Sequence, residues 1–150
     1  MATATETETA WAEHAHQVLL GAGLRRGGAR TAVIEALSGH DCAVTALDLD
    51  DELRRRKPRV GRASIYRALE LFEQLGLVQR IEMTRGTAAY ERVDPDGRHH
   101  HHAICRSCGR METFEDGGLE RAIARISGRM SFEVSEHDVV LRGLCERCAE

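Results

Sequence analysis

The sequence predicts an α+β chain in two units, a helical unit followed by a small mixed unit. Apolar residues recur at helical spacing as far as about residue 76, and short alternating segments follow. The composition then changes after Pro95, where histidine and cysteine are concentrated. We therefore expect a disordered arm at 1–9, a first unit at 10–93, a hinge at 94–98 and a second unit at 99–150.

Four helices are expected in the first unit. Gly21 and Gly23 end the first, and the second runs from about residue 30 to 37. Thr45 is a suitable N-cap for the third. The fourth has an apolar stripe and ends at Gly76. Two short strands around Gly86 come next, so the order is that of a winged helix-turn-helix, whose last helix enters the DNA major groove.

The second unit reads as a small α/β domain. "HHHHAIC" and "RMETFE" are expected strands, and "GGLERAIARISGRM" is a helix that closes near Gly128. "FEVSEHDVVLRGLC" alternates well enough to form a last strand.

Charge and cysteine usage favour a cytoplasmic protein that contacts nucleic acid. Residues 24–80 hold eleven Lys and Arg against eight Asp and Glu, and the rest of the chain is acidic. A basic surplus in the helical unit suits contact with phosphate. The sequence has no evident signal peptide or membrane span, so five cysteines in a reducing compartment indicate metal binding rather than disulfides.

Two Cys-x-x-Cys pairs, Cys105/Cys108 and Cys145/Cys148, are the strongest motif. Together they can form a tetrahedral sulfur cage for a structural zinc ion, provided that the fold sets the first strand of the second unit beside its last. The alternatives are a redox dithiol, which lacks a surrounding βαβ pattern here, and cysteines buried without metal.

The histidine run is internal, which argues against a purification tag. On a strand, His99 and His101 would share one face and His100 and His102 the other. Such a strand can supply half the ligands of two metal sites. The alternative is an exposed polar strand that binds metal adventitiously.

The chain resembles the ferric uptake regulator superfamily of metal-dependent bacterial repressors. "GRASIYRALELFEQLGLV" is similar to its recognition helix, "HHHHAICRSCGRMETFE" to its signature strand and first zinc pair, and "GLCERC" to its second pair. The resemblance implies a winged-helix domain, an α/β dimerisation domain with a four-cysteine zinc site, and a homodimer that binds a palindromic operator in double-stranded DNA. It implies neither an enzyme, nor a membrane protein, nor a small-molecule substrate.

The resemblance also assigns metal ligands. Cys105, Cys108, Cys145 and Cys148 match the structural zinc ligands. A second site in the dimerisation domain corresponds to His99, His101, Glu120 and His137.

The hinge regulatory site matches the family less completely. His100, His102 and Glu91 match, but Ala43 stands where iron-type members have a histidine. Gln79 and Val93 stand where zinc-sensing members have an acid and a cysteine. We expect Cys42, one residue from the iron-type position, to supply the missing ligand, with His40 and Asp41 as alternatives. A thiolate favours zinc; without it, Fe²⁺ or Mn²⁺ becomes the better fit.

The expected DNA contacts lie on the recognition helix and around the start of the second helix. They are Arg62, Ser64, Tyr66, Arg67, Arg26 and Arg30. We therefore expect a zinc-responsive repressor of metal homeostasis genes. The alternatives are an iron-, manganese- or peroxide-responsive regulator of the same family and, more distantly, a zinc metalloenzyme.

Overall fold

The computed structural model describes residues 4–149. The chain divides into two compact units, Met1–Arg98 (unit 1) and His99–Glu150 (unit 2). Residues 94–98, the expected hinge, form a turn at the end of unit 1. In that turn Gly97 N–H donates to the Asp94 carbonyl at 3.0 Å, and Arg98 Nε donates to Asp94 Oδ2 at 2.9 Å.

Unit 1 has four helices and a small antiparallel sheet. The helices are α1 (Ala4–Gly21), α2 (Gly28–Ser38), α3 (Ala46–Arg56) and α4 (Arg62–Gln74). The strands β1 (Val44–Thr45), β2 (Val78–Glu82) and β3 (Ala88–Arg92) lie in the order β1-β3-β2. This is the helix and hairpin order expected of a winged helix.

The core of unit 1 is built from the apolar faces of these helices, as the sequence pattern predicts. Ile65, Leu69 and Phe72 of α4 are fully buried, and Trp11 of α1 packs into the same cluster. At the start of α3, Thr45 Oγ1 accepts the Asp48 N–H at 3.1 Å, so the predicted N-cap is formed. After α4, Gly76 takes a left-handed conformation (φ 68°), which favours glycine because it has no Cβ.

The beginning of the chain differs from the sequence expectation. Residues 1–3 of the expected disordered arm lie outside the described residues, and α1 already begins at Ala4. The sequence at 4–9 is polar and acidic, so it has no apolar stripe from which the start of α1 could be predicted. Helix α2 also begins two residues before the expected Arg30, with Gly27 as its N-cap.

A buried carboxylate connects α3 to α4. Asp50 is only 1% exposed, and its Oδ2 accepts Arg62 Nε and Nη2, each at 2.7 Å. Arg54 lies 3.2 Å from the same oxygen. Burial raises the pKa of Asp50, but the hydrogen bonds and charges of the two arginines outweigh burial and hold this pKa below its ordinary value of 3.8. Arg62, at the first position of α4, is thereby fixed to α3.

We expect this pair to make unit 1 sensitive to acid. A carboxyl group whose pKa is depressed in the folded state stabilises the fold above its unfolded pKa, and that contribution is lost as the pH falls below about 4 towards the folded value. Asp50→Asn should therefore flatten the fall in unfolding free energy over this range. Urea unfolding followed by circular dichroism at several pH values measures it, with Asp51→Asn as the exposed control. Equal pH dependence in wild type and Asp50→Asn would contradict the assignment.

Unit 2 is a three-stranded sheet with one helix. The elements are β4 (His101–Cys105), β5 (Met111–Phe114), α5 (Gly117–Ser127) and β6 (Val140–Gly143), and the sheet order is β5-β4-β6. β5 pairs with β4 antiparallel and β6 pairs with it in parallel, with Cys105 opposite Gly143. The first strand of the unit therefore lies beside its last, as the two cysteine pairs require.

Two strands of unit 2 are shorter than expected. His99 and His100 precede β4, and β6 begins only at Val140 although the alternating pattern starts near Phe132.

Every residue of α5 is exposed or half-buried, and large apolar side chains are exposed around it and beyond it. These side chains, the exposed apolar set, are Ile126, Met130, Phe132, Val134, Leu141 and Leu144. Over residues 4–149, no helix combines the length and the apolar character that crossing a bilayer requires.

Candidate metal centres and DNA-binding surface

The two cysteine pairs converge at the end of β4. Parallel pairing of β4 with β6 continues into a hydrogen bond from Arg106 N–H to the Gly143 carbonyl at 2.8 Å, which brings the two Cys-x-x-Cys turns together. The four sulfur atoms lie within 4.8 Å of one another, and Cys108 Sγ is 3.7 Å from Cys145 Sγ. Four sulfurs bonded to one zinc ion at about 2.3 Å stand about 3.8 Å apart in a tetrahedron. The cage therefore fits zinc.

Backbone N–H groups prepare one of these thiols to ionise. Cys108 N–H and Cys145 N–H donate to Cys105 Sγ at 3.5 and 3.4 Å. These two hydrogen bonds are the largest causes that lower the pKa of the Cys105 thiol from 9.0 to about 6. The thiolate is the form that binds metal, so the turn geometry itself favours coordination.

The second cluster lies within unit 2, where β4, α5 and the segment before β6 meet. Its donor atoms, from His99, His101, Glu120 and His137, lie within 4.8 Å of one another. His101 Nε2 is 2.7 Å from Glu120 Oε1, and His137 Nε2 is 3.0 Å from Glu120 Oε2. Because His101 donates to it and His137 lies beside it, the Glu120 carboxyl group has a pKa below its ordinary value. Three imidazoles around one carboxylate form a nitrogen and oxygen donor set suited to a divalent transition metal.

The backbone orients one imidazole of this cluster. Val139 N–H donates to His101 Nδ1 at 3.2 Å, and the Val139 carbonyl accepts the His102 N–H at 3.1 Å. His101 Nε2 therefore faces Glu120, and the residue just before β6 holds the ring in place.

The four residues predicted for the hinge site belong to the two units, and each pair is close within its own unit. In unit 1, Cys42 Sγ and a Glu91 carboxylate oxygen lie within 4.8 Å, and Gln79 Nε2 donates to Glu91 Oε2 at 2.7 Å. In unit 2, the rings of His100 and His102 have centroids 5.0 Å apart, and their donor nitrogens also lie within 4.8 Å. Each unit thus offers two donor groups.

The two alternatives to Cys42 have other surroundings. His40 Nε2 lies 2.8 Å from Glu52 Oε2 of α3, and the Asp41 side chain is 85% exposed. Cys42 is the residue of this loop whose donor atom is grouped with Glu91. Within unit 1 the geometry therefore favours the thiol as the ligand donated by the loop.

The expected DNA-contacting residues lie on the N-terminal half of α4, just before α2 (Arg26) and in the first turn of α2 (Arg30). Tyr66 is 40% exposed, and Arg67 Nη2 donates to Ser64 Oγ at 3.2 Å, so these side chains sit on the outer surface of α4. Arg62 differs, because Asp50 binds its guanidinium group. Arg30 Nη1 donates to the Arg25 carbonyl at 2.9 Å and thereby fixes the start of α2.

A concave surface beside α4 contains two cations, Lys57 and Arg59, that the sequence reasoning missed. A cavity of about 670 Å³ is lined by Arg26, Lys57, Arg59 and Ser64, together with the glycines that precede α2 and α4. The run of basic residues at 54–59 was the available sequence signal. The sequence alone does not show which of these basic residues line the concave surface. Arg54 and Arg56, for example, pair with Asp50 and Glu52 of their own helix.

Comparison with known proteins agrees with this architecture. The ferric uptake regulation protein of Neisseria meningitidis is 31% identical over 84% of this chain and 87% of its own. The Helicobacter pylori ferric uptake regulator shares the fold, with a TM-score of 0.81, 22% identity and coverage of 97% and 95%. A zinc uptake regulator in complex with zinc and DNA has a TM-score of 0.58 and 26% identity, with 95% of each chain covered.

A family model fixes the assignment. The model of the ferric uptake regulator family matches residues 21–142, which span both units, the first cysteine pair and the histidine run. Members of this family are metal-responsive transcription regulators and not enzymes, so the metalloenzyme alternative falls away. The chain belongs to the ferric uptake regulator family.

Proposed function

We propose that this chain is a zinc-responsive repressor of metal homeostasis genes that binds a palindromic operator as a homodimer in the cytoplasm. One regulatory ion takes Cys42 and Glu91 from unit 1 and His100 and His102 from unit 2. The observation that carries the proposal is the pairing of a thiol with a carboxylate in unit 1 and of two imidazoles in unit 2, each pair within 4.8 Å. Each pair is half of a four-ligand site.

The donor set favours zinc over the harder ions. A thiolate is a soft ligand, and one thiolate with two imidazoles and one carboxylate suits zinc better than Fe²⁺ or Mn²⁺. The zinc uptake regulator bound to zinc and DNA supports the same reading. Because several relatives are named ferric uptake regulation proteins, iron is the main alternative to zinc as the sensed metal.

Metal would act on DNA affinity through the orientation of the units. An ion that takes ligands from both units restricts the angle between them, and a dimer binds two half-sites only when its recognition helices are about one helical turn, or a multiple of it, apart. Metal therefore increases the population that is competent to bind. The gain is limited by the difference in metal affinity between competent and incompetent states, and about 1–3 kcal/mol is usual for such coupling.

The identity of the sensed ion can be tested directly. A duplex selected from a random pool by the zinc-loaded protein serves as the probe, and its binding is measured at buffered free zinc, Fe²⁺ and Mn²⁺. Tight binding at the lowest free concentration of zinc, lost on chelation and weakened steeply by salt, supports the proposal. Activation by Fe²⁺ or Mn²⁺ at lower free concentrations than zinc requires would contradict the zinc assignment.

The homodimer is supported by the exposed apolar set of unit 2. Phe132 is 76% exposed, and apolar side chains concentrated in this way on one small unit are typical of a protein–protein interface. We expect Phe132→Glu to weaken self-association by about 30-fold or more, because aromatic anchors of interfaces often contribute about 2 kcal/mol. Sedimentation equilibrium measures the effect, with the exposed neighbour variant Glu133→Gln as the control. Unchanged dimerisation in Phe132→Glu would show that Phe132 is not part of the interface.

A further inference from the structure

Arg92 occupies an unusual position next to the unit 1 ligands. It is the last residue of β3 and follows Glu91 directly, yet its side chain is only 14% exposed. One guanidinium nitrogen, Nη2, donates to the His40 carbonyl at 2.9 Å. The guanidinium carbon lies 5.8 Å from the centroid of the Trp11 ring. A charged side chain this buried, with these contacts, has a defined position.

The loop that Arg92 reaches is the one that carries Cys42. This loop, residues 39–43, connects α2 to β1. At its exit, Val44 pairs with Tyr90 of β3. At its entry, the hydrogen bond from Arg92 holds the His40 carbonyl to the same strand, and Glu52 holds the His40 ring to α3. The loop is therefore held to β3 on both sides of Cys42.

Trp11 fixes Arg92 from the other side. The indole ring is 2% exposed, and its Nε1 donates to the Leu77 carbonyl at 3.3 Å, so the ring cannot turn without losing a buried hydrogen bond. The guanidinium group thus lies between the Trp11 ring and the loop.

We propose that Arg92 is a positioning residue of the regulatory site: it holds the loop against β3, so that the Cys42 thiolate and the Glu91 carboxylate meet the ion as a preformed pair. This inference rests on the function proposed above. Without the guanidinium group, the loop is released at its entry and metal binding must first order it. Residues that orient ligands in this way typically affect metal affinity by about 10–100-fold.

The test uses the full-length protein with zinc retained in the four-cysteine cage and Co²⁺ titrated as the probe. Cobalt bound by a thiolate gives a sulfur-to-metal charge-transfer band, and with the cage filled by zinc the band reports ligation by Cys42. We expect Arg92→Met to bind this cobalt about 10–100-fold more weakly and to show a weaker band. Arg55→Met, an exposed arginine on α3, is the matched control and should behave as wild type.

Two further variants separate positioning from general stability. Arg92→Lys keeps the charge beside Trp11 but loses the planar guanidinium group. Its cobalt affinity and band intensity should lie between those of wild type and Arg92→Met. This variant also replaces Arg92→Met in the test if Arg92→Met does not fold. Combined with Cys42→Ala, the loss of cobalt affinity caused by Arg92→Met should be less than additive, because it acts partly through Cys42. Calorimetry measures cobalt affinity in the variants that lack the band. If Arg92→Met only destabilised the fold in general, its loss of cobalt-binding free energy would add in full to the loss caused by Cys42→Ala.

The outcomes distinguish this inference from the proposed site. If Cys42→Ala alone leaves cobalt affinity and the band unchanged, the four-ligand site is wrong. If Cys42→Ala abolishes the band while both Arg92→Met and Arg92→Lys bind as wild type, the site stands and the positioning role is overturned. Full additivity in the double variant also overturns it.

Discussion

In Cys42→Ala, we expect zinc no longer to raise the affinity of the proposed dimer for its operator. The variant removes one of the two donor groups of unit 1 and leaves the cysteine cage and the exposed apolar set unchanged. We expect a loss of about 5–150-fold in the ratio of operator affinities with and without regulatory zinc, the usual range of such coupling. Fluorescence anisotropy with the selected duplex at buffered free zinc measures both affinities, and sedimentation should show an intact dimer.

A second substitution at the same position provides the control. Cys42→His keeps a metal-binding side chain but exchanges a soft ligand for an imidazole. We expect it to retain a metal response while zinc loses part of its advantage over Fe²⁺. A normal zinc response in Cys42→Ala would show that another residue, His40 or Asp41 among them, donates the loop ligand.

We expect the other large effect in Cys145→Ala, which should act on folding rather than on sensing. The cage joins β4 to the end of β6, and structural zinc in small domains contributes about 10–16 kcal/mol of apparent binding free energy at neutral pH. We expect the variant to lose one zinc ion per chain, the cooperative unfolding of unit 2 and the dimer, while the helical content of unit 1 persists. Zinc analysis, thermal unfolding by circular dichroism and sedimentation measure these changes.

The control for this variant is its exposed neighbour Glu146. Glu146→Ala leaves all four sulfur atoms in place and should melt like the wild type. If Cys145→Ala remains dimeric and melts at the wild-type temperature, the cage is not a structural zinc site. A chelator strong enough to empty the cage should reproduce the variant, because metal binding and folding are coupled.

The sequence predicts the elements whose signals are local. The apolar stripe of α4, the Thr45 cap and the glycine that ends α4 each depend on neighbouring residues, and the structure has them where expected. The extent of α1 and β6 could not be predicted in the same way. Alternation near Phe132 reads as a strand, but a strand forms only where a partner backbone is available, and β6 pairs with β4 only at Val140–Gly143.

In the candidate sites too, some features could be predicted from the sequence and others depend on tertiary contacts. Fixed spacing and parallel pairing of two strands bring the cysteine pairs together, so the motif itself predicts the cage. The roles of Arg62 and Arg92 depend on tertiary contacts. Nothing near Arg62 in the sequence indicates that Asp50, twelve residues earlier, binds its side chain. Arg92 is held by Trp11, which lies near the other end of the unit 1 sequence. Such roles become visible only in the folded chain.

We expect regulatory zinc and operator binding to be thermodynamically linked, and reciprocity tests this linkage most directly. Operator affinity is measured with and without regulatory zinc, and the zinc affinity of the regulatory site is measured with and without operator, with the cysteine cage filled throughout. We expect the two ratios to be equal, because the coupling free energy is the same from either side, and both to fall to one in Cys42→Ala. Operator binding of undiminished strength after removal of regulatory zinc would contradict it.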